Sequence, residues 1–115
     1  MQPSKKLPAS PRQDEYARLG AQLAGTGWIS EGYVQDRGAD GRSPCYAWTR
    51  KVKGKTVCVA LSKEQYEWLK QAIVNWRAVQ QILRRMQRLS REELFEGVPG
   101  PKRRKQLSKR VLGLL

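Results

Sequence analysis

Between Cys45 and Leu61 apolar and polar side chains alternate with a period of two, broken at Lys53-Gly54. That period belongs to half-buried strands, and a two-residue break between two such runs reads as a hairpin. A two-residue loop sets Val52 against Lys55, Arg50 against Val57, Trp48 against Val59 and Tyr46 against Leu61. In this register Tyr46, Trp48, Val52, Val57, Val59 and Leu61 share one face. Ala47, Thr49, Lys51, Thr56, Cys58 and Ala60 share the other. The first set suits a core; the second is small and polar. A further strand is expected within Trp28 to Asp36, weakened at Gly32, and Gly38 to Pro44 is loop chemistry.

After the hairpin the period lengthens. Tyr66, Leu69, Ile73, Trp76, Val79, Leu83, Met86 and Leu89 recur at steps of three and four, which predicts a helix from Lys63 to Leu89. Ser62 and Gln65 form its capping box, with Leu61 and Tyr66 as the hydrophobic staple. A helix of that length, roughly 40 Å, outruns the hairpin it must cover. Its later turns need another partner: the N-terminal helix, a second copy or a larger protein. Ser10-Pro11-Arg12-Gln13 carries the same start signal for a shorter helix, with a stripe of Tyr16, Leu19 and Leu23 and a stop at Gly25. Ser90 to Glu93 repeats the cap, with Leu89 and Leu94 as staple, and predicts a separate short helix ending at Gly97.

The fold expected is α+β: an N-terminal helix, a two- or three-stranded antiparallel sheet, one long helix, a short C-terminal helix and a basic tail. Residues 1–9 read as a flexible basic arm and 10–97 as a single domain. Residues 98–115 read as the tail, where Leu107 to Leu115 can form a short docking helix.

Charge then directs the functional reading. The 115 residues hold 23 Lys and Arg against 10 Asp and Glu, a net +13, with no histidine. Absence of histidine excludes Ser–His and Cys–His catalysis and His-ligated metal. Two cysteines cannot form a Cys₄ site. The hairpin register sets Cys45 and Cys58 on the order of 13 Å apart, beyond the reach of about 7 Å that a disulfide needs. Both are expected as small buried or half-buried residues. Glu64, Glu67, Glu92, Glu93 and Glu96 fall in helix starts, where they favour the dipole. Asp14, Glu15, Glu31, Asp36 and Asp40 have no metal-ligand spacing. No catalysis, no cofactor and no metal are expected. Met1 to Lys6 lacks an apolar run behind its positive opening, and no stretch reaches membrane-span length. A soluble intracellular protein with reduced cysteines is expected, with no membrane partner.

Residues 1–50 carry seven basic and five acidic side chains, residues 51–115 carry 16 and five. The second half therefore holds the candidates. Arg50, Lys51, Lys53 and Lys55 surround the hairpin turn, flanked by Thr49 and Thr56. A two-stranded ribbon fits the major groove, and cations at its tip reach phosphates on either side. The plainer reading is a solvated turn whose lysines protect a sheet edge. Arg84, Arg85, Arg88 and Arg91 crowd the distal helix, as a phosphate track or as the polar face of a bundle helix. Lys102, Arg103, Arg104 and Lys105 resemble a nuclear-import string, but read better as a basic arm along nucleic acid. Of the aromatic residues Trp28, Tyr46, Trp48, Trp68 and Trp76, most fit a core. Trp68 falls outside the helix stripe. The function expected is non-catalytic nucleic-acid binding, DNA ahead of RNA, within a larger protein or nucleoprotein complex. The alternative is a protein-interaction module, a homodimer or an adaptor or inhibitor of a larger complex, acting through the long amphipathic helix.

Tyr46-Ala47-Trp48-Thr49-Arg50-Lys51-Val52-Lys53-Gly54-Lys55-Thr56-Val57, followed by Leu61-Ser62-Lys63-Glu64-Gln65, resembles a family of small bacterial proteins. Its members share a Tyr-x-Trp-Thr-Arg-Lys-Val-x-Gly-Lys-Thr-Val hairpin, a Leu-Ser-x-Glu-Gln helix start and a long helix. The resemblance covers roughly Gly27 to Leu89. It implies a bacterial source and a mobile-element context, and it brings no activity. Many members carry a cysteine cluster before the hairpin; here Cys45 alone stands near that place, so no metal role carries over. A sheet with a basic hairpin followed by a helix is also similar in architecture to the arm-binding domains of phage integrases.

Overall fold

The structure, a computed structural model, describes residues 10–38, 45–102 and 104–115. The arm at 1–9, most of the expected Gly38 to Pro44 loop, and Arg103 lie outside the described residues. The elements are α1 (Pro11–Ala24), β1 (Tyr33–Asp36), β2 (Tyr46–Val52), β3 (Lys55–Leu61), α2 (Lys63–Gly97) and α3 (Lys109–Leu112). This is an α+β fold. The chain forms two compact units: Thr26–Gln80, and the described residues up to Gly25 with Gln81–Leu115. Helix α2 gives its first turns to the former and its last turns to the latter.

In the Thr26–Gln80 unit the sheet is antiparallel, in order β1-β2-β3. The β2–β3 register runs from Tyr46↔Leu61 to Val52↔Lys55, the pairing a two-residue loop demands. Lys53 and Gly54 both take left-handed backbone, φ 50° and 81°. That is the turn whose twist matches the strands it joins. The Tyr46 ring packs on Tyr66 of α2 at 4.7 Å. Strand alternation therefore turns Tyr46, Trp48, Val52, Val57, Val59 and Leu61 toward α2. The Ser62 cap forms as expected: its Oγ accepts from Gln65 N (3.1 Å) while Gln65 Oε1 accepts from Ser62 N (3.0 Å).

Strand β1 is shorter than Trp28 to Asp36. The residues before it are tied to α2 instead, with Ser30 N donating to Ala72 O (3.2 Å) and Asn75 Nδ2 to Trp28 O (2.8 Å). Those bonds bury Ala72 beside Ile73 and Val79. Gly32, at φ 108°, brings the chain back against Trp48 before pairing begins. Trp48 Nε1 donates to Glu31 O at 3.0 Å.

In the other unit α1 starts with its capping box complete: Ser10 Oγ accepts from Gln13 N, and Gln13 Oε1 from Ser10 N. It meets the distal turns of α2 largely through charge. Arg12 pairs with Glu92 (3.5 Å), Glu93 (3.0 Å) and Glu96. Arg85 holds Glu15 through two bonds, of 2.7 and 2.8 Å. Leu89 is buried there.

The separate helix expected from Ser90 does not exist; α2 runs unbroken to Gly97. Ser90 Oγ donates back to Met86 O (3.0 Å), so the hydroxyl spends its bond inside the helix rather than capping a new one. Arg88 and Glu92 pair across the same turn at 3.2 Å. Helix α3 has Ser108 as its cap and left-handed Gly113 (φ 75°) as its stop. The residue after that stop, Leu114, is 8% exposed, so the C-terminal turn is packed down.

Candidate nucleic-acid interface

The partner strand of β2 decides what its outer face presents. β1 sets Tyr33 against Thr49 and Gln35 against Ala47. Both therefore lie on the face turned away from α2. That face holds Tyr33 and Gln35 on β1, Ala47, Thr49 and Lys51 on β2, and Thr56, Cys58 and Ala60 on β3. None of these is acidic. Asp36, the one carboxylate in the strands, pairs with Tyr46 on the opposite face.

Arg37 extends the same face. Its backbone N donates to Cys45 O (2.6 Å), its Nε to Gln35 Oε1 (3.0 Å) and its Nη2 to Cys58 Sγ (3.8 Å). The guanidinium thus spans from β1 to β3 across β2, which accounts for Ala47 being only 3% exposed on an otherwise open face. Thr49 Oγ1 donates to the same sulfur at 3.8 Å. Cys45 and Cys58 are free and exposed, which corrects the expectation that they are buried or half-buried. The reason is the face: Cys58 stands on the open side of β3, and Cys45 precedes β2.

The four turn cations do not act alike. Lys51, Lys53 and Lys55 are exposed, with Lys51 on the open face, Lys53 in the turn, and Lys55, opposite Val52, beside the turn on the other face. Arg50 belongs to the other face, its Cζ 4.7 Å over the Trp48 ring. Its Nε is buried with no hydrogen-bond partner among the described residues. Beside it Tyr33, Thr49, Lys51, Thr56 and Glu31 line a shallow cleft of about 180 Å³. Arg50 is thus a fixed cation against an aromatic wall, and the lysines are mobile ones in solvent.

The remaining candidates lie in the other unit. Arg85 is bound to Glu15, whose carboxyl it holds below the ordinary carboxylate range, chiefly through the hydrogen bond. Arg88 pairs with Glu92, and Arg91 donates to Gly113 O and Gln87 Oε1, each at 3.3 Å. Arg84 is exposed and has no ion pair or hydrogen bond among the described residues. Lys102 and Lys105 are exposed; Arg104 stacks its guanidinium 5.6 Å over Phe95. Arg103 lies outside the described residues.

Two tryptophans are displayed rather than packed. Trp28 is 74% and Trp68 55% exposed, with ring centroids 6.2 Å apart. Sequence reasoning singled out Trp68 and missed its neighbour. It also missed Tyr33, Gln35 and Arg37, although their alternation with Val34 and Asp36 marks one face of a strand. Among the described residues no group of three or more His, Cys, Asp or Glu could hold a metal ion. Nor is any helix among them long and apolar enough to cross a membrane. Searched against protein-family models, curated proteins and solved structures, the chain has no match.

Proposed function

We propose that this protein binds nucleic acid without catalysis, laying the open face of its sheet on a duplex, as an accessory of a bacterial mobile element or larger nucleoprotein complex. The observation that carries the reading is the composition of one surface. A three-stranded face holds cations, hydroxyls and an amide, no carboxylate on its strands, and small residues along its middle, with Glu31, ahead of β1, at the rim of its cleft. Thr49, Cys58 and Ala60 let a groove approach closely, while Ala47 is covered by Arg37. Lys51, Lys53 and Lys55 reach phosphates at the tip, and Gln35 and Arg37 are donors of the kind that read base edges. A groove-sized ribbon favours duplex DNA, because the major groove of duplex RNA is too deep and narrow to admit it.

The test is fluorescence-anisotropy binding to duplex DNA, single-stranded DNA and duplex RNA of one sequence, each titrated with salt. Tightest binding to duplex DNA that persists near physiological salt supports the reading. Equal, weak binding to all three that collapses together would sink it.

A second reading has its own observation. Trp28 and Trp68 form an exposed aromatic pair on the sheet unit. Aromatic anchors of that kind favour a protein partner over a phosphate backbone. This supports an interaction module that uses α2. Sedimentation of the protein alone separates the two, a salt-stable dimer favouring the second.

A further inference from the structure

We infer that the distal turns of α2 and the turn after α3 form a second, independent anion site, one that takes a ligand carrying two or more linked phosphate groups. Arg84, Arg88 and Arg91 follow one another at i, i+4 and i+7, so they share a helix face. With Gly113 and Leu115 they line a cleft of about 410 Å³. No carboxylate side chain is among the residues that line it.

Charge matching in that cleft is incomplete. Arg85, also at its edge, is matched by Glu15 at 2.7 Å. Glu92 is divided between Arg88 (3.2 Å) and Arg12 (3.5 Å). Among the described residues Arg91 has only neutral acceptors, the Gly113 carbonyl and the Gln87 amide. Arg84 has none among the described residues. Like charges at this spacing destabilise a helix, and an anion between them removes the penalty.

The site is also held in shape. A Cβ at Gly113 would lie 2.6 Å from Arg91 Cδ and 2.8 Å from its Nε. Glycine lets the backbone rest on the arginine stem, and the Gly113 carbonyl then fixes the guanidinium. Buried Leu114 anchors the turn that does this. Planar guanidinium forks match phosphate oxygens two at a time. From Arg84 to Arg91 the helix rises roughly 10 Å, more than one phosphate covers, hence a linked pair or longer. The source is either the backbone of a nucleic acid or a free polyphosphate ester, and the chemistry recognised is the same.

The test is calorimetric titration of the full chain with sodium tripolyphosphate, chloride holding the ionic strength constant. Wild type, Arg84→Gln, Arg84→Lys and the triple variant K51Q/K53Q/K55Q are compared. Arg84 has no partner to lose, so circular dichroism of its variants should match wild type. The expected result is that Arg84→Gln weakens binding about tenfold, the worth of one charge-assisted hydrogen bond. Arg84→Lys should recover part of that loss, and the triple variant should bind as wild type does. No binding above that of sulfate, no effect of Arg84→Gln, or loss in the triple variant would each overturn the inference. Duplex DNA names the source. Residual duplex binding in the triple variant that Arg84→Gln abolishes points to backbone phosphates; its absence, with tripolyphosphate binding intact, points to a free ligand. Failure of the sheet reading looks different: unchanged duplex affinity in the triple variant.

Discussion

Gly32 and Gly54 both sit at positive φ, 108° and 81°, yet a Cβ meets very different surroundings at the two. At Gly54 nothing lies within 4 Å. At Gly32 the new carbon would stand 2.5 Å from Trp48 Nε1 and 2.8 Å from Thr49 O. Gly54→Ala should therefore cost only the left-handed backbone, about 1–2 kcal/mol. Gly32→Ala pays the same and more. Thr49 O is strand backbone and cannot yield, so the Gly32 segment or the indole must move. That breaks the 3.0 Å bond from Trp48 Nε1 to Glu31 O, worth about 1 kcal/mol. Forcing volume against Trp48 adds about 1–3 kcal/mol. Equilibrium urea unfolding followed by tryptophan fluorescence measures both, comparing midpoints at unchanged slope. The gap between the two variants should be about 2–4 kcal/mol. Equal costs would refute the claim that Gly32 is required by close approach to Trp48.

Three further outcomes are expected. Thr56→Glu puts a carboxylate on the open face at an exposed position; it should weaken duplex binding about tenfold or more with no change in the urea midpoint, and an unchanged affinity would move the interface elsewhere. Glu15 has its pKa lowered by Arg85, so its contribution is complete above the unfolded value of 4.5 and is lost as pH falls through the lower folded value. Helicity of the unit containing α1 should fall over that window in wild type and not in Glu15→Gln; parallel curves would dismiss the pair as a source of stability. Leu114→Ala should cost about 2–3 kcal/mol locally, seen as faster amide exchange in α3 with no change in the sheet.

Local physics made much of the fold legible. The hairpin register follows from a period of two and a two-residue turn, and the caps at Ser10 and Ser62 are bonds over three residues. Ser90 carried the same signal and gave no helix start, because a serine hydroxyl can equally donate to the carbonyl four residues back. The acids that follow it, Glu92, Glu93 and Glu96, also pair non-locally, with Arg12 some eighty positions earlier. The candidate site was half legible for the same reason. Lys51, Lys53 and Lys55 belong to the hairpin itself. Tyr33, Gln35 and Arg37 join them only through β1, whose pairing with β2 is set by no two-residue turn: nine residues separate Asp36 from Tyr46. Arg50 read as one of four equal cations, although the predicted register already set it on the Trp48 face, where its guanidinium stacks. Nor does any spacing in the sequence show that Arg85 is matched by Glu15, seventy residues away.

The most direct measurement is the salt dependence of duplex DNA binding in wild type and K51Q/K53Q/K55Q, by anisotropy over a tenfold range of salt. Each phosphate neutralised adds about 0.9 to the slope of log affinity against log salt. Removing three hairpin contacts should flatten that slope by roughly 2.7, with circular dichroism unchanged. An identical slope in the two proteins would place the phosphate contacts off the hairpin and contradict binding through the sheet.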